Sequence, residues 1–457
     1  MSFTTFVMYY SLFKREPFNN KKEIIKHFPK NVFGVFTTVR RANKLKSYPK
    51  DIHGCIGFWN NDFNNLSNKS LYDHLLRVSH DSVWEDRRNR FFEPIEREPE
   101  TILEIDFMLN PIYSINQTTG MISGINKRFS NKRFGIIIQS RTQKATYLPN
   151  VFPDEAWTDI VESIKQKAGI TSDNFELFAY KIHQIKSTYS TILTGNIFTY
   201  ISIYHFSRVL IDNMKLKLEF PFAYSCSQNQ LEWNTTDQVR NISTLSDIYK
   251  YTTIYKRIAT KQEIQAIKQK ILVILENIGE YSSQSLSFLG FIFQSFHLNN
   301  TAFCKKLLKD LPNAENDFEK PEIIIGLNKA GCKINKELLT FNQTDSIFRM
   351  NWVVQEIISC KKKPSNELIT ILEDKITGIL LNKKSTETNY LAVAFESLCF
   401  AYKSKNKPSL LDKLFELFFE LEQRKNCNNV LYSFLDKTSR VDITGHILNG
   451  LVQLSSP

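Results

Sequence analysis

Up to about residue 195 the apolar positions follow two different periods. In "NVFGVFTTVRR" (31–41) an apolar, β-branched run has the composition of a strand, and "HGCIGFW" (53–59) offers a second short one after a polar stretch. The two predict an antiparallel hairpin, and the glycines of the second strand mark close approach or unusual dihedrals. Leu103, Ile105 and Phe107 alternate with Glu104, Asp106 and Met108, the period of a strand with one face in the core. "FGIIIQS" (134–140) and "KATYLP" (144–149), separated by the polar segment Arg141 to Gln143, predict another hairpin stopped at Pro149. Trp157, Ile160, Val161, Ile164 and Ala168 then recur at helical spacing, with Asp154 or a neighbour as N-cap and Gly169 at the C-terminal glycine position. This half therefore reads as an α+β domain, an antiparallel sheet packed by helices.

Beyond about residue 200 the strand alternation fades. Ile264, Ile267, Ile271, Leu272, Leu275 and Ile278 follow the helical period, as do Leu410, Leu411, Leu414, Phe415, Phe418 and Leu421, and Ile443, Ile447, Leu448, Leu451 and Leu454. Turn-rich breaks near 280–284, 311–320, 361–366, 382–389 and 404–409 separate about ten helices, and intervals of roughly 35 to 50 residues between helix pairs point to stacked hairpins. The organisation is an α+β domain over 1–195, an aromatic-dotted connection over 196–244 and an all-α helical-hairpin domain over 245–457.

Composition narrows the function classes. A chain of 457 residues, 42% hydrophobic, exceeds what one core absorbs and fits more than one domain. The net charge of +12 has a local concentration between Lys14 and Lys50, eleven basic residues against Glu16 and Glu23. Such a field attracts phosphates, or it is a solvated surface. A second basic group, Lys127, Arg128, Lys132, Arg133, Arg141 and Lys144, falls around the second hairpin. Seven cysteines are spread without a CxxC pair or a Cys/His cluster at zinc spacing, which predicts a reducing compartment and no metal centre. With no smooth apolar segment near the N-terminus and no apolar run of about 18 residues, the chain reads as intracellular, cytoplasmic and not membrane-bound.

The order of "HGCIGFW", "DRRNRFFEPI", "ILEIDFMLNPI", "RFGIIIQSRTQKATYLPNVFPDEAW" and "IKQKAGI" resembles the AMMECR family over about residues 5–190. The family hallmark Arg-Gly-Cys-Ile-Gly is met by Gly54, Cys55, Ile56 and Gly57, with His53 in place of the arginine. Asp86, Arg90, Phe91 and Pro94 match a second segment, which is longer here, and Gly135, Tyr147, Leu148, Pro149, Trp157, Ala168 and Gly169 complete the set. The resemblance implies an α+β fold, a biochemical activity not settled for the family, and Memo-family or radical-SAM proteins as partners in a modification pathway. This chain has no CxxxCxxC triad of its own. Separately, "SRVDITGHILNGLVQL" (439–454) resembles one hairpin of α/α toroid domains such as terpene-cyclase-like and prenyltransferase-like proteins; neither their acidic cluster nor a zinc set is evident around Asp442, Cys427 and His446.

Two readings of the hallmark stand side by side. Cys55 is a nucleophile or substrate-contacting thiol with His53 as its base, since residues i and i+2 of a strand share a face, or it is a small apolar residue between glycines. Gly54, Gly57, Asp86, Arg90 and Tyr147 are the pocket candidates; Asp86 with Arg90 also reads as a structural ion pair, and Tyr147 as a core tyrosine. Three functions follow: an enzyme or enzyme component in macromolecule modification using Cys55, with no cofactor; a non-catalytic adaptor whose helical domain binds a partner protein; and a nucleic-acid-binding protein using the early basic run.

Overall fold

The computed structural model describes residues 3–14, 16, 21–41, 52–88, 99–194, 203–204, 206–208, 210–212, 221–225, 230–233, 237–255, 258–314, 319–334, 341–359, 362–426, 431–432 and 438–455. The chain divides into two compact units, Met1–Ile192 and Leu193–Pro457.

The first unit is built on a six-stranded antiparallel sheet in the order β2-β1-β3-β8-β6-β7. Its strands are β1 (Val32–Arg40), β2 (Ile52–Trp59), β3 (Ile102–Ser114), β6 (Gly135–Gln139), β7 (Lys144–Tyr147) and β8 (Glu176–Thr188), with a separate ribbon of β4 (Met121–Ile122) and β5 (Lys127–Arg128). Both predicted hairpins form, β1 with β2 and β6 with β7. Helices α1 (Phe3–Phe13) and α3 (Asn68–Trp84) pack on one face of the sheet, while α2 (Lys21–Ile25) is a short turn. Leu103, Ile105 and Phe107 are buried together with Phe6, Val7, Leu71, Leu75 and Val78. Helix α4 (Trp157–Ala168) lays Ile160 and Ile164 on Ile136, Ile138, Leu177 and Ala179.

Gly169 ends α4 in the left-handed conformation (φ 70°), as its sequence position predicted. The N-cap differs: Ala156 holds that position without a side-chain bond, and Asp154 pairs with Lys132 at 2.6 Å instead.

The second unit is helix-rich. Its helices are α5 (Gln238–Ile254), α6 (Lys261–Glu276), α7 (Ser283–Ser287), α8 (Gly290–Phe296), α9 (Thr301–Asp310), α10 (Glu319–Ala330), α11 (Ile347–Ser359), α12 (Asn366–Leu381), α13 (Thr388–Lys405), α14 (Pro408–Gln423) and α15 (Val441–Ser455). Contacts run from α5 to α7, on to α10, α11, α13 and α15, and back to α5, so the hairpins close into a ring; α6, α9, α12 and α14 pack on it. A five-stranded antiparallel sheet accompanies the helices, formed by β9 (Pro221–Ser225), β10 (Gln230–Trp233), β11 (Lys425–Asn426), β12 (Leu431–Tyr432) and β13 (Thr438–Arg440) in the order β10-β9-β13-β12-β11. Its first two strands lie in the segment read from sequence as a connection and pair with each other; the other partner of β9, β13, comes roughly 200 residues later, a distance local periodicity does not register. Two of the dispersed cysteines, Cys304 and Cys332, 28 residues apart in sequence, form a disulfide with Cα atoms 5.7 Å apart.

Candidate active site

The sheet of the first unit curls until its edge strands approach each other. Lys144 of β7 places its ammonium 4.8 Å from the ring centre of Trp59 on β2. On the concave face, opposite α1 and α3, the strand pairing lines up two rows of side chains. Thr38 stands between Cys55 and Glu104, with Lys186 beyond, and Phe36 stands between Gly57 and Asp106, with Gln184 beyond. Apart from Gly57, these rows, with Arg40, Arg88, Tyr147 and Lys167, line a cavity of about 540 Å³. The alternation seen in β3 is therefore buried on both faces: Glu104 and Asp106 are 4% and 1% exposed.

Cys55 sits on the wall of this cavity, partly accessible, with Thr38 Oγ1 donating to its Sγ at 3.2 Å. Its amide N–H donates to Asp86 Oδ2 at 3.0 Å. Asp86 is clamped by Arg88, whose Nε and Nη2 donate at 2.9 and 2.6 Å, and the same Nη2 reaches the Cys55 carbonyl at 3.3 Å. Burial pushes the Asp86 carboxyl up, yet the Arg88 guanidinium and the two backbone N–H groups outweigh it and hold it down at about 2. Asp86 thus fixes the backbone of the hallmark from behind. Arg90, its partner in the sequence reading, lies outside the described residues.

The glycines are required by close approach. A Cβ on Gly54 would lie 1.9 Å from the Ser82 carbonyl oxygen of α3, and one on Gly57 would lie 2.1 Å from the Phe36 ring.

His53 does not share a face with Cys55, which corrects the strand-parity argument. The pairing skips it: Val39 faces Gly54, Arg40 faces Ile52, and His53 is the extra residue of a β-bulge. The bulge turns His53 toward α3, where it is 4% exposed and bonds the Val83 backbone. Burial first, and Arg41 next, lower its imidazole to about 4, so it is neutral at physiological pH. Tyr147 does line the cavity, but its hydroxyl is turned away to Ser163 Oγ at 3.0 Å, leaving the ring beneath the Lys167 ammonium at 4.4 Å.

Residues 7–188 match the AMMECR1 family model. The first unit carries an AMMECR1 domain. No curated protein and no solved structure matched the chain.

Within the AMMECR1 domain the charges divide into satisfied and free. Glu104 takes Arg40 Nε at 2.8 Å and Lys186 Nζ at 2.6 Å, and Arg88 is held by Asp86. Lys167 differs: its ammonium donates to the Thr146 carbonyl at 2.8 Å and makes no ion pair among the described residues. Burial lowers it, while the Cys55 thiol opposes that shift. Asp106 accepts from Gln184 Nε2 at 2.7 Å, and burial pushes its carboxyl up to about 7. Burial also raises the Cys55 thiol; Thr38, Arg88 and Lys167 pull it back, and Asp106 pushes it further up. At rest the AMMECR1 cavity therefore presents a protonated thiol beside an unpaired ammonium and a carboxyl poised to gain or lose a proton near neutrality.

Thr38, Glu104, Asp106, Lys167, Gln184 and Lys186 were not singled out from the sequence as site residues, and Arg40 was named only as part of the early basic run. The available signal was a pair of polar residues two apart on each of β1, β3 and β8: Thr38 and Arg40, Glu104 and Asp106, Gln184 and Lys186. Among the described residues no group of three or more His, Cys, Asp or Glu could hold a metal ion, and no helix is long and apolar enough to cross a membrane.

Proposed function

We propose that the AMMECR1 domain is an enzyme or enzyme component in macromolecule modification, whose cavity takes an anionic group of its substrate. Lys167 anchors that group, Arg40, Arg88 and Lys186 add to the positive field, and Cys55 meets the substrate as a neutral thiol that donates or reacts on demand. Asp106 is the proton carrier, replacing His53 in the role that sequence spacing assigned to it. The observation that carries this reading is the convergence of Cys55, Asp106 and the unpaired Lys167 on one cavity. An adventitious cavity has no reason to hold a fully buried carboxyl near neutrality, because such a group is costly to bury, and the exposed Lys167 adds a positive charge at the same cavity.

The early basic run supports this reading better than nucleic-acid binding. Arg40 points into the cavity and Lys21 pairs with Asp73 at 3.0 Å, so these members of the run serve different places. Lys44, Lys46 and Lys50 fall outside the described residues.

Protection from alkylation tests the reading. Inorganic phosphate added to the full chain should slow modification of Cys55 by the neutral reagent iodoacetamide in a saturable manner, and Lys167→Met should abolish the protection. Unchanged rates across the phosphate titration would count against an anion-binding cavity.

A further inference from the structure

The ring of the helical unit encloses a second cavity, of about 740 Å³, lined from α5, α7, α10, α11, α13 and α15. Most of its charges are matched internally. Glu396 accepts from His446 Nδ1 at 2.7 Å and from Asn351 Nδ2 at 2.9 Å. Burial works to lower the His446 pKa, but Glu396, with Asp442 and Asp247 behind it, outweighs burial and leaves it raised. Asp247 accepts from Asn449 at 3.4 Å and has Lys250 beside it, and Arg240 lies 3.8 Å from Asp442.

Among the described residues, Glu322 and Lys329 of α10 and Lys250 of α5 line the cavity without an ion pair. Glu322 is 7% exposed, and although Gln284 bonds its carboxyl, Oε2 has no partner. Lys329, exposed and seven residues on, hence on the same helix face, forms no ion pair among the described residues; Lys250 repels it, and Asp247 and Glu396 act on it from a distance. Asn389 Oδ1 is a further buried acceptor on the wall without a partner. A buried carboxylate oxygen left unpaired costs free energy that a ligand donor recovers.

We propose that this cavity binds a short free peptide, its ammonium end on Glu322 and its carboxylate end on Lys329. Seven residues of helix rise about 10 Å, which matches about three extended residues. The lining suits the rest of such a ligand. Gln355, Asn389 and Gln453 offer amide donors and acceptors for peptide bonds, and Phe288, Trp352 and Phe400 offer apolar walls for side chains. A sugar would satisfy the acceptors but would leave Lys329 without an anion. The volume is that of a site for a ligand of this size.

Burial pushes Glu322 up to about 8, so near pH 7 the acid is protonated. Seating an ammonium on Glu322 requires it to ionise, and the proton leaves to the buffer.

Equilibrium dialysis of the full chain against a mixed tripeptide library, with retained peptides identified by mass spectrometry, tests this directly. Free-ended tripeptides should be retained at least about tenfold better than the same library N-acetylated or C-amidated. Glu322→Gln should remove the penalty of acetylation and Lys329→Met that of amidation. For a retained peptide, calorimetry in two buffers should show release of up to one proton near pH 7, lost in Glu322→Gln. Retention of the acetylated library equal to that of the free one, or no retention of any tripeptide, would overturn the proposal; both arms use the unaltered chain, so neither depends on how a variant folds.

Discussion

Gly54 has no room for a side chain, because its Cα lies against the last turn of α3. A methyl there would meet the Ser82 carbonyl oxygen at 1.9 Å, and that atom is backbone and cannot rotate away. Gly54→Ala should cost about 3 kcal/mol, seen as a loss of hydrogen-exchange protection in β1 and β2, and unchanged protection would contradict the close approach. Asp106 gives a pH dependence whose sign is determined. Its folded pKa, about 7, lies above that of an unfolded aspartate, so the native state binds the extra proton: the contribution is full at pH below about 4 and is lost as pH rises through 7. Asp106→Asn should flatten that fall, leaving the variant on the order of 3 kcal/mol more stable than the parent at pH 8 in denaturant unfolding. Removing the negative neighbour should also lower the Cys55 thiol pKa, so its alkylation at pH 8 should rise about threefold. A slower reaction would contradict the placement of Asp106 beside the thiol.

At the scale of elements, the bulge in β2 decides which side chains meet. His53→Ala should leave the pH profile of Cys55 alkylation unchanged within about twofold, because the imidazole faces α3, whereas a shift of the profile would mean that His53 reaches the thiol after all. Much of this layer was legible in the sequence. The hairpins β1–β2 and β6–β7, the C-terminus of α4 and the helical texture beyond residue 200 follow from period, glycine and proline placement. Cys55 and Tyr147, marked by the motif set, line the cavity, whereas Gly54 and Gly57, the other pocket candidates, lie against Ser82 and the Phe36 ring and do not line it. What escaped has a physical cause. A single extra residue reverses strand parity without changing composition, so His53 was placed on the wrong face. Glu104 and Asp106 looked solvated because alternation reports polarity and not burial, and only the curl of the sheet turns that polar face inward. Lys167 was overlooked inside an ordinary amphipathic helix.

At the scale of the whole molecule, the chain joins a curled sheet to a ring of helices, each with its own polar cavity. The ring was legible only as a series of hairpins, since closure depends on α15 returning to α5 some 200 residues away; the disulfide between Cys304 and Cys332 is a shorter link, tying α9 to the turn after α10. Reducing that bond should destabilise the helical unit by about 3 kcal/mol, read as an earlier thermal transition of its helices, while alkylation of Cys55 in the other unit proceeds at an unchanged rate. The central claim concerns the first cavity: an unpaired ammonium, Lys167, sits where it can present an anion to Cys55. The most direct test is the ratio of Cys55 alkylation rates with iodoacetate and iodoacetamide in the full chain, followed by mass spectrometry and compared with a cysteine peptide. The ratio should exceed the peptide's by about tenfold and fall to it in Lys167→Met; a ratio equal to or below the peptide's in the unaltered chain would contradict the claim.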